Sequence, residues 1–154
     1  MEDMDLQRYF RGQMVQLQWH PFLRAMAAQM AQHADAQALH ALFTGVGQRF
    51  AADAKDFFAD IHALTQLQEG LNDFWGRMQW GWVTLHEEAG CVEISHYAAP
   101  LAEAFGDECL QWSVGFLEGF YQSVFGILGA TESMTVRARD HLDDGLHLRF
   151  RLGL

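Results

Sequence analysis

The chain has 154 residues, of which 50% are hydrophobic and 13% aromatic, so its composition is that of a folded protein rather than a disordered one. Its formal net charge of −10 opposes binding to nucleic acid or anionic lipid, because both need lysine and arginine to neutralise phosphates. The length suits one domain, and the sequence contains no linker-like or repeated stretch. We therefore predict a single domain over residues 1–154.

The first residues and the cysteines bear on location. The segment from Met1 to Arg8 is acidic and lacks the apolar core of a secretory signal peptide. No apolar stretch reaches the roughly 18 residues that a membrane-spanning helix needs, so we expect a cytoplasmic protein that is not embedded in a membrane. Cys91 and Cys109 are predicted to be buried free thiols, which pair only if the fold brings them together.

Hydrophobic residues recur at helical spacing in the first half of the chain. They predict helices over residues 21–33, from Leu39 to Phe50, and over residues 57–77. Pro21 suits the first position of its helix, where a missing N–H costs nothing, and Asp35 suits the cap of the second helix. Gly45 and Gly47 either weaken the second helix or allow a close approach to a neighbour.

The spacing then changes to alternation, which predicts strands. Residues 80–86 and 91–96 form two such runs around a short glycine-containing turn, which indicates a hairpin. Residues 134–139 and 146–152 form a second hairpin around the strong turn signal Asp143-Asp144-Gly145.

A loop over residues 98–107 and a helix over residues 108–128, ended by Gly129, separate the two hairpins. The order indicates an α+β fold with N-terminal helices, two β-hairpins forming an antiparallel sheet, and a long helix between the hairpins. One face of the sheet is expected to be apolar and the other to carry arginines. These are Arg137, Arg139, Arg149 and Arg151.

The motifs of common enzymes and metal sites are missing from the sequence. There is no HExxH, CxxC or GxSxG motif, and the glycines Gly115 and Gly119 follow no predicted strand, as a dinucleotide-binding loop would. Glu118 is a carboxylate within an apolar helix, and we expect it to be structural. We therefore predict no catalytic residue, no cofactor and no metal site, and a protein that is not an enzyme.

The tryptophans have two interpretations. Their ring faces could stack on sugar rings, although tryptophan is more often a core or interface residue. The five are Trp19, Trp75, Trp80, Trp82 and Trp112.

Three segments carry a further signal when they are taken in order. They are Trp19-His-Pro-Phe-Leu, Trp80-Gly-Trp82-Val-Thr-Leu with the strand Cys91-Val-Glu-Ile-Ser-His96, and Trp112-Ser-Val-Gly-Phe-Leu-Glu-Gly-Phe-Tyr121 leading to Gly129-Ala. Together they resemble the D subunit of cellulose synthase, the small accessory protein of bacterial cellulose operons. The resemblance runs over most of the chain and the length agrees. It implies a non-catalytic role in packing or exporting nascent glucan chains into ordered cellulose.

The resemblance also implies partners. The first is the chain itself, as dimers that assemble into a ring, an octamer, with inner passages for glucan chains. The others are the cellulose synthase complex and a proline-rich companion protein. The family has been placed in either the periplasm or the cytoplasm, and we expect the cytoplasm here, where the protein would act as a scaffold beside the synthase.

The family's N-terminus is associated with the glucan passages, although the acidic start of this chain has no residue-by-residue match to it. Candidates for glucan contact or for an interface between chains are Asp5, Leu6, Tyr9, Phe10, Trp19, Phe22, Trp112 and Tyr121.

Two alternatives remain at this point. The order of helices and hairpins also resembles vinyl-reductase-like sensor domains, which would hold a small hydrophobic ligand in a closed apolar cavity with convergent polar groups. Size, charge and mixed helix and strand content also suit an acidic secretion chaperone, which would be a dimer with exposed grooves.

Overall fold

A computed structural model describes residues 2–142 and 145–153 and shows N-terminal helices, a β-hairpin, further helices and a second β-hairpin, with both hairpins in one four-stranded antiparallel sheet. The helices are α1 (Glu2–Met14), α2 (His20–His33), α3 (Ala36–Asp53), α4 (Lys55–Phe58), α5 (Leu64–Arg77), α6 (Leu101–Phe105), α7 (Leu110–Ser113) and α8 (Gly115–Ile127). The strands are β1 (Trp82–Glu88), β2 (Cys91–Tyr97), β3 (Thr135–Leu142) and β4 (His147–Gly153). The α+β class is confirmed.

The sheet has the order β1-β2-β4-β3, so the two hairpins join through β2 and β4. Ala89 and Gly90 form the turn of the first hairpin, and their φ angles of 51° and 80° are those of a two-residue turn of type I′. For the second hairpin, Asp143 and Asp144 of the predicted turn lie outside the described residues. Gly145 has a φ of 81°.

The predicted helices at residues 21–33 and from Leu39 to Phe50 are confirmed as α2 and α3. The side chain of Asp35 caps α3 as expected, because its Oδ1 accepts a hydrogen bond from the N–H of Ala38 at 2.8 Å.

Three sequence predictions differ from the structure. The helix predicted over residues 57–77 is broken into α4 and α5, because the chain turns after Phe58 to bury its ring completely. The predicted loop over residues 98–107 contains α6. The helix predicted over residues 108–128 begins as a 3-10 turn and a short helix, and α8 starts only after Val114. The helix α1 was not predicted at all.

Helices α3 and α8 approach each other at backbone distance. A Cβ atom added at Gly47 would overlap the carbonyl oxygen of Phe116, and one added at Gly119 would overlap the carbonyl oxygen of Thr44. Close packing is therefore the role of Gly47. Gly45, by contrast, faces open space.

The core lies between these helices and the inner face of the sheet. Strand residues alternate between the two faces, so Leu148, Phe150 and Leu152 are buried while Arg149 and Arg151 point outward. This confirms one apolar face and one face bearing arginines. Aromatic rings fill the centre of the core. Those that are fully buried are Phe58, Trp75, Phe120, Tyr121 and Phe150.

Both cysteines are free thiols, as predicted. Cys109 is buried, and its burial raises the pKa of the thiol above the usual value. Cys91 is only half-buried on β2, so the prediction of burial was wrong there. No helix among residues 2–142 and 145–153 is long and apolar enough to cross a membrane.

Candidate functional site: an aromatic platform and an apolar cleft

Three rings form a row across the outer face of the sheet. The strand register places Trp82 opposite Tyr97, and Tyr97 opposite His147. The rings of Trp82 and Tyr97 are stacked with centroids 5.3 Å apart, and those of Tyr97 and His147 with centroids 4.3 Å apart. Trp82 is 53% exposed, so this row, which we call the aromatic platform, presents ring surface to the solvent.

An open groove of about 660 Å³ lies between the platform and the second half of α1. Its polar side chains include Gln7, Gln13 and Gln79, whose amides can both donate and accept hydrogen bonds. The Nε2 atom of His147 is buried and has no hydrogen-bond partner among the described residues. An orphaned buried nitrogen is unusual in a folded protein.

The described lining of this groove contains no Asp, Glu, Lys or Arg. Flat ring faces and neutral amides suit a flat, uncharged molecule that carries hydroxyl groups. They do not suit a phosphate or a carboxylate, which is held by charged donors.

A second, larger groove of about 730 Å³ separates α2 from α3, and we call it the apolar cleft. Its floor includes Trp80 and Phe116. Its walls are the apolar stripes that the sequence placed on α2 and α3. They include Leu23, Met26, Met30, Leu42, Val46 and Phe50, and Trp19, just before α2, extends one wall. Because this groove and the first are open to solvent, neither is the closed cavity expected of a vinyl-reductase-like sensor.

Helix α1 packs loosely against the rest of the chain, and none of its residues is buried. A cluster of charges holds it in place. The guanidinium of Arg11 bonds Glu103 of α6 at 3.1 Å and Asp107 at 2.8 Å. His20 and Arg24 of α2 also reach Glu103. Glu103 therefore joins α1 and α2 to α6.

The interior contains one chain of hydrogen bonds. The carbonyl of Trp80 can only accept, so His96 carries its proton on Nε2, which donates to that carbonyl at 2.7 Å. Its Nδ1 then accepts from the hydroxyl of Tyr121 at 2.6 Å. That hydroxyl in turn accepts from Nε1–H of Trp75 at 3.2 Å. Every polar atom of this network has a partner.

Burial controls the protonation of the network. His96 is fully buried, and this lowers its pKa from 6.5 to about 4, although the hydrogen bond to Trp80 opposes the shift. Burial also raises the pKa of Tyr121 well above its usual value. Both groups are neutral at pH 7. Since neither side chain reaches solvent or a groove, the network stabilises the fold and has no access to a substrate.

Glu118 also has a structural role. Its carboxylate is nearly buried on α8, and its Oε1 lies 2.7 Å from Nε2 of His40 on α3. The pair links α3 to α8 beside the glycines of their contact. No cluster of three or more potential metal ligands occurs within the part of the chain that the structure describes.

The family model for the D subunit of cellulose synthase matches residues 5–152, which is nearly the whole chain. The chain belongs to the family of cellulose synthase D subunits. None of the curated proteins matches it. Membership places the protein in cellulose biosynthesis, as an accessory component of the synthase rather than its catalytic subunit.

The structure divides the candidate contact residues of this D-type accessory protein into two groups. Trp112 and Tyr121 lie in the core, where Trp112 is only 2% exposed, so neither can touch a glucan chain or a second copy. Both rings belong to the inward stripe of their helices and are buried in the single chain. The others are partly or fully exposed. They are Asp5, Leu6, Tyr9 and Phe10 on α1, and Trp19 and Phe22 at the start of α2.

The aromatic platform of the cellulose synthase accessory chain was missed in the sequence. Trp82 was noted among the tryptophans, but Tyr97 and His147 were not singled out. All three lie at outward positions of their strands, which alternation predicts. Only the register between β1, β2 and β4 brings them into one row, and that register cannot be read from the spacing within a single strand.

Proposed function

We propose that this chain is a non-catalytic, self-assembling accessory subunit that organises the cellulose synthase and guides nascent glucan chains into ordered cellulose. It acts in the cytoplasm beside the synthase complex, as a ring of dimers that forms an octamer. A proline-rich companion protein is its other partner.

The proposed self-assembly rests on the amount of apolar surface that a single chain leaves uncovered. The apolar cleft, the exposed side of α1 and the start of α2 all present large hydrophobic side chains to solvent. Patches of this kind mark interaction sites in a stable protein. A closed ring covers them without leaving an open end that would continue into an aggregate.

The aromatic platform supports the role in guiding glucan. A β-glucan chain is neutral, its pyranose rings are flat and apolar on their faces, and its hydroxyl groups lie at the ring edges. The faces suit the rings of Trp82 and Tyr97, while the hydroxyls suit the glutamine amides. The groove is open to solvent, so a long chain is not excluded from it as it would be from an enclosed pocket.

The mass of the assembly tests the first half of this proposal. Light scattering after size-exclusion chromatography at low micromolar protein is expected to give one species of about eight chains of 17.5 kDa each. A stable monomer would contradict self-assembly. A simple dimer would contradict the ring and would favour the secretion chaperone.

Substitution of Trp82 tests the second half. Trp82→Ala removes the outermost ring of the platform, and we expect it to weaken binding of cellohexaose by about tenfold, equivalent to about 1.4 kcal/mol. Trp82→Phe keeps a planar ring and is the matched control, with expected binding close to that of the wild type. Titration by NMR or calorimetry gives both values. Equal binding by wild type and Trp82→Ala would show that the platform does not touch glucan.

A further inference from the structure

Two apolar surfaces of this chain present large hydrophobic side chains to solvent. One is the ridge of α1 formed by Leu6, Tyr9 and Phe10, and the other is the apolar cleft between α2 and α3. We propose that α1 of one copy docks its ridge into the apolar cleft of a second copy, and that the second copy does the same in return. This inference rests on the proposed self-assembly and names the surfaces that produce the dimer.

The ridge is a helical stripe. Leu6, Tyr9 and Phe10 follow the spacing i, i+3 and i+4, so they share one face of α1. They are 54%, 63% and 59% exposed. Met4 lies on the other side of the helix. Three large apolar side chains on one face of a short surface helix are left in water by the single chain, and a soluble protein normally covers such a face.

The cleft has the form of a site for a helix. Its two walls are neighbouring helices, and such grooves accept the apolar face of a third helix through side chains spaced i, i+3 and i+4. Met26 and Met30 line one wall, while Leu42 and Val46 line the other. Methionine side chains are flexible, so they can adjust to the rings of Tyr9 and Phe10. The cleft is therefore suited to the ridge in both chemistry and form.

The chain's own α1 is kept out of its own cleft. The residues between α1 and α2 are few, and Met14 at the end of α1 already lies at the edge of the cleft. To enter, α1 would have to fold back over this short connection and break the ion pairs of Arg11 with Glu103 and Asp107. A second copy can supply its ridge without either cost.

Charge and area agree with this arrangement. Helix α1 starts with Glu2, Asp3 and Asp5, and α3 carries the exposed Arg49 directly before Phe50, which lines the cleft, so the docked acidic end would have a basic side chain within this helix. A buried aromatic side chain covers roughly 150–250 Å². Two ridges and the walls they cover thus approach the roughly 1,200–2,000 Å² of a stable interface. The exchange is isologous, as the two-fold symmetry of a dimer requires.

Substitutions on both surfaces provide the first test. Tyr9→Asp on the ridge and Val46→Asp in the cleft are each expected to raise the concentration at which the assembly dissociates by about tenfold or more. Met4→Asp places the same charge on the other side of α1 and should leave the mass unchanged. Because all three positions are exposed, circular dichroism should show the same helix content in every variant.

Cysteine pairing provides the second test and identifies the occupant. Leu6→Cys and Val46→Cys are placed on separate, differently tagged chains that also carry Cys91→Ser, which removes the partly exposed native thiol and leaves only the buried Cys109. Oxidation of the co-expressed chains is expected to give a disulfide between the two tags. A second chain carries both Leu6→Cys and Val46→Cys. If its disulfide forms only within the chain, α1 occupies its own cleft and the proposal is overturned.

The outcomes separate this inference from the proposed function. A monomeric wild type overturns self-assembly and the exchange together. An assembled wild type whose mass survives both Tyr9→Asp and Val46→Asp, with no disulfide between tags, overturns the exchange alone. In that case the ring forms through other surfaces, and the cleft is left for a helix of a different protein.

Discussion

Lowering the pH from 6.5 to 4 is expected to reduce the free energy of unfolding by about 3 kcal/mol through His96 alone. The folded state holds this imidazole neutral until about pH 4, whereas the unfolded chain protonates it near pH 6.5. Above pH 6.5 both states are neutral and the stabilisation is complete. As the pH falls, the unfolded state binds the proton first, so stability is lost through this window and the loss ends near pH 4.

Urea unfolding at fixed protein concentration, between about pH 7 and pH 4, measures this effect. The decisive interval lies above about pH 5, because ordinary carboxylates titrate mostly below it. His96→Gln should be less stable at every pH but should lose most of the slope in that interval. His62→Gln changes an exposed histidine and should keep the slope. A wild-type stability that stays constant from pH 6.5 to pH 5 would contradict the assignment.

Adding one methyl group at Gly119 is expected to destabilise the fold by about 3 kcal/mol, near the upper end for overpacking. The new Cβ would overlap the carbonyl oxygen of Thr44, which is backbone and part of α3. A side chain could rotate away from the clash, but a helix can only shift as a whole. The two helices would therefore separate, and the aromatic core beneath them would lose contacts.

Thermal unfolding of Gly119→Ala gives the measurement, with an expected fall in Tm of roughly 6–12 °C for a chain of this size. Gly45→Ala and Gly126→Ala are matched controls, because nothing lies within 4 Å of a Cβ at either position. Alanine favours the helix over glycine, so these two should gain up to about 1 kcal/mol. If all three variants shift in the same direction, the close approach of α3 and α8 is not what Gly119 provides.

The elements that could be predicted are those whose periodicity reflects burial within the chain. The stripe on α3 and the alternation in β4 both face the core, so spacing alone located them. Helix α1 was missed for the opposite reason. Leu6, Tyr9 and Phe10 cover no core of their own chain, and the charges around them look like an irregular acidic start.

Residue type alone did not locate the contact residues, because aromatic side chains occur both in the core and on the surface of this chain. Trp112 and Tyr121 were proposed as contact residues because they are aromatic, yet both are buried. Trp82 was considered equally with four other tryptophans, and only the strand register placed it beside Tyr97 on the outer face. Contact between strands is a property of the tertiary fold, which the local spacing of a single strand does not contain.

Met14 lines both the groove beside the platform and the apolar cleft, so the end of α1 is a common wall of the two sites. If a ligand in one site shifts that wall, it also changes the free energy of filling the other site, and thermodynamic linkage makes the effect reciprocal. An assembly contact in the cleft that tightens binding in the groove by some factor is then itself tightened by the same factor when the groove is filled. The shared wall thus offers a route from one site to the other that needs no chemical step.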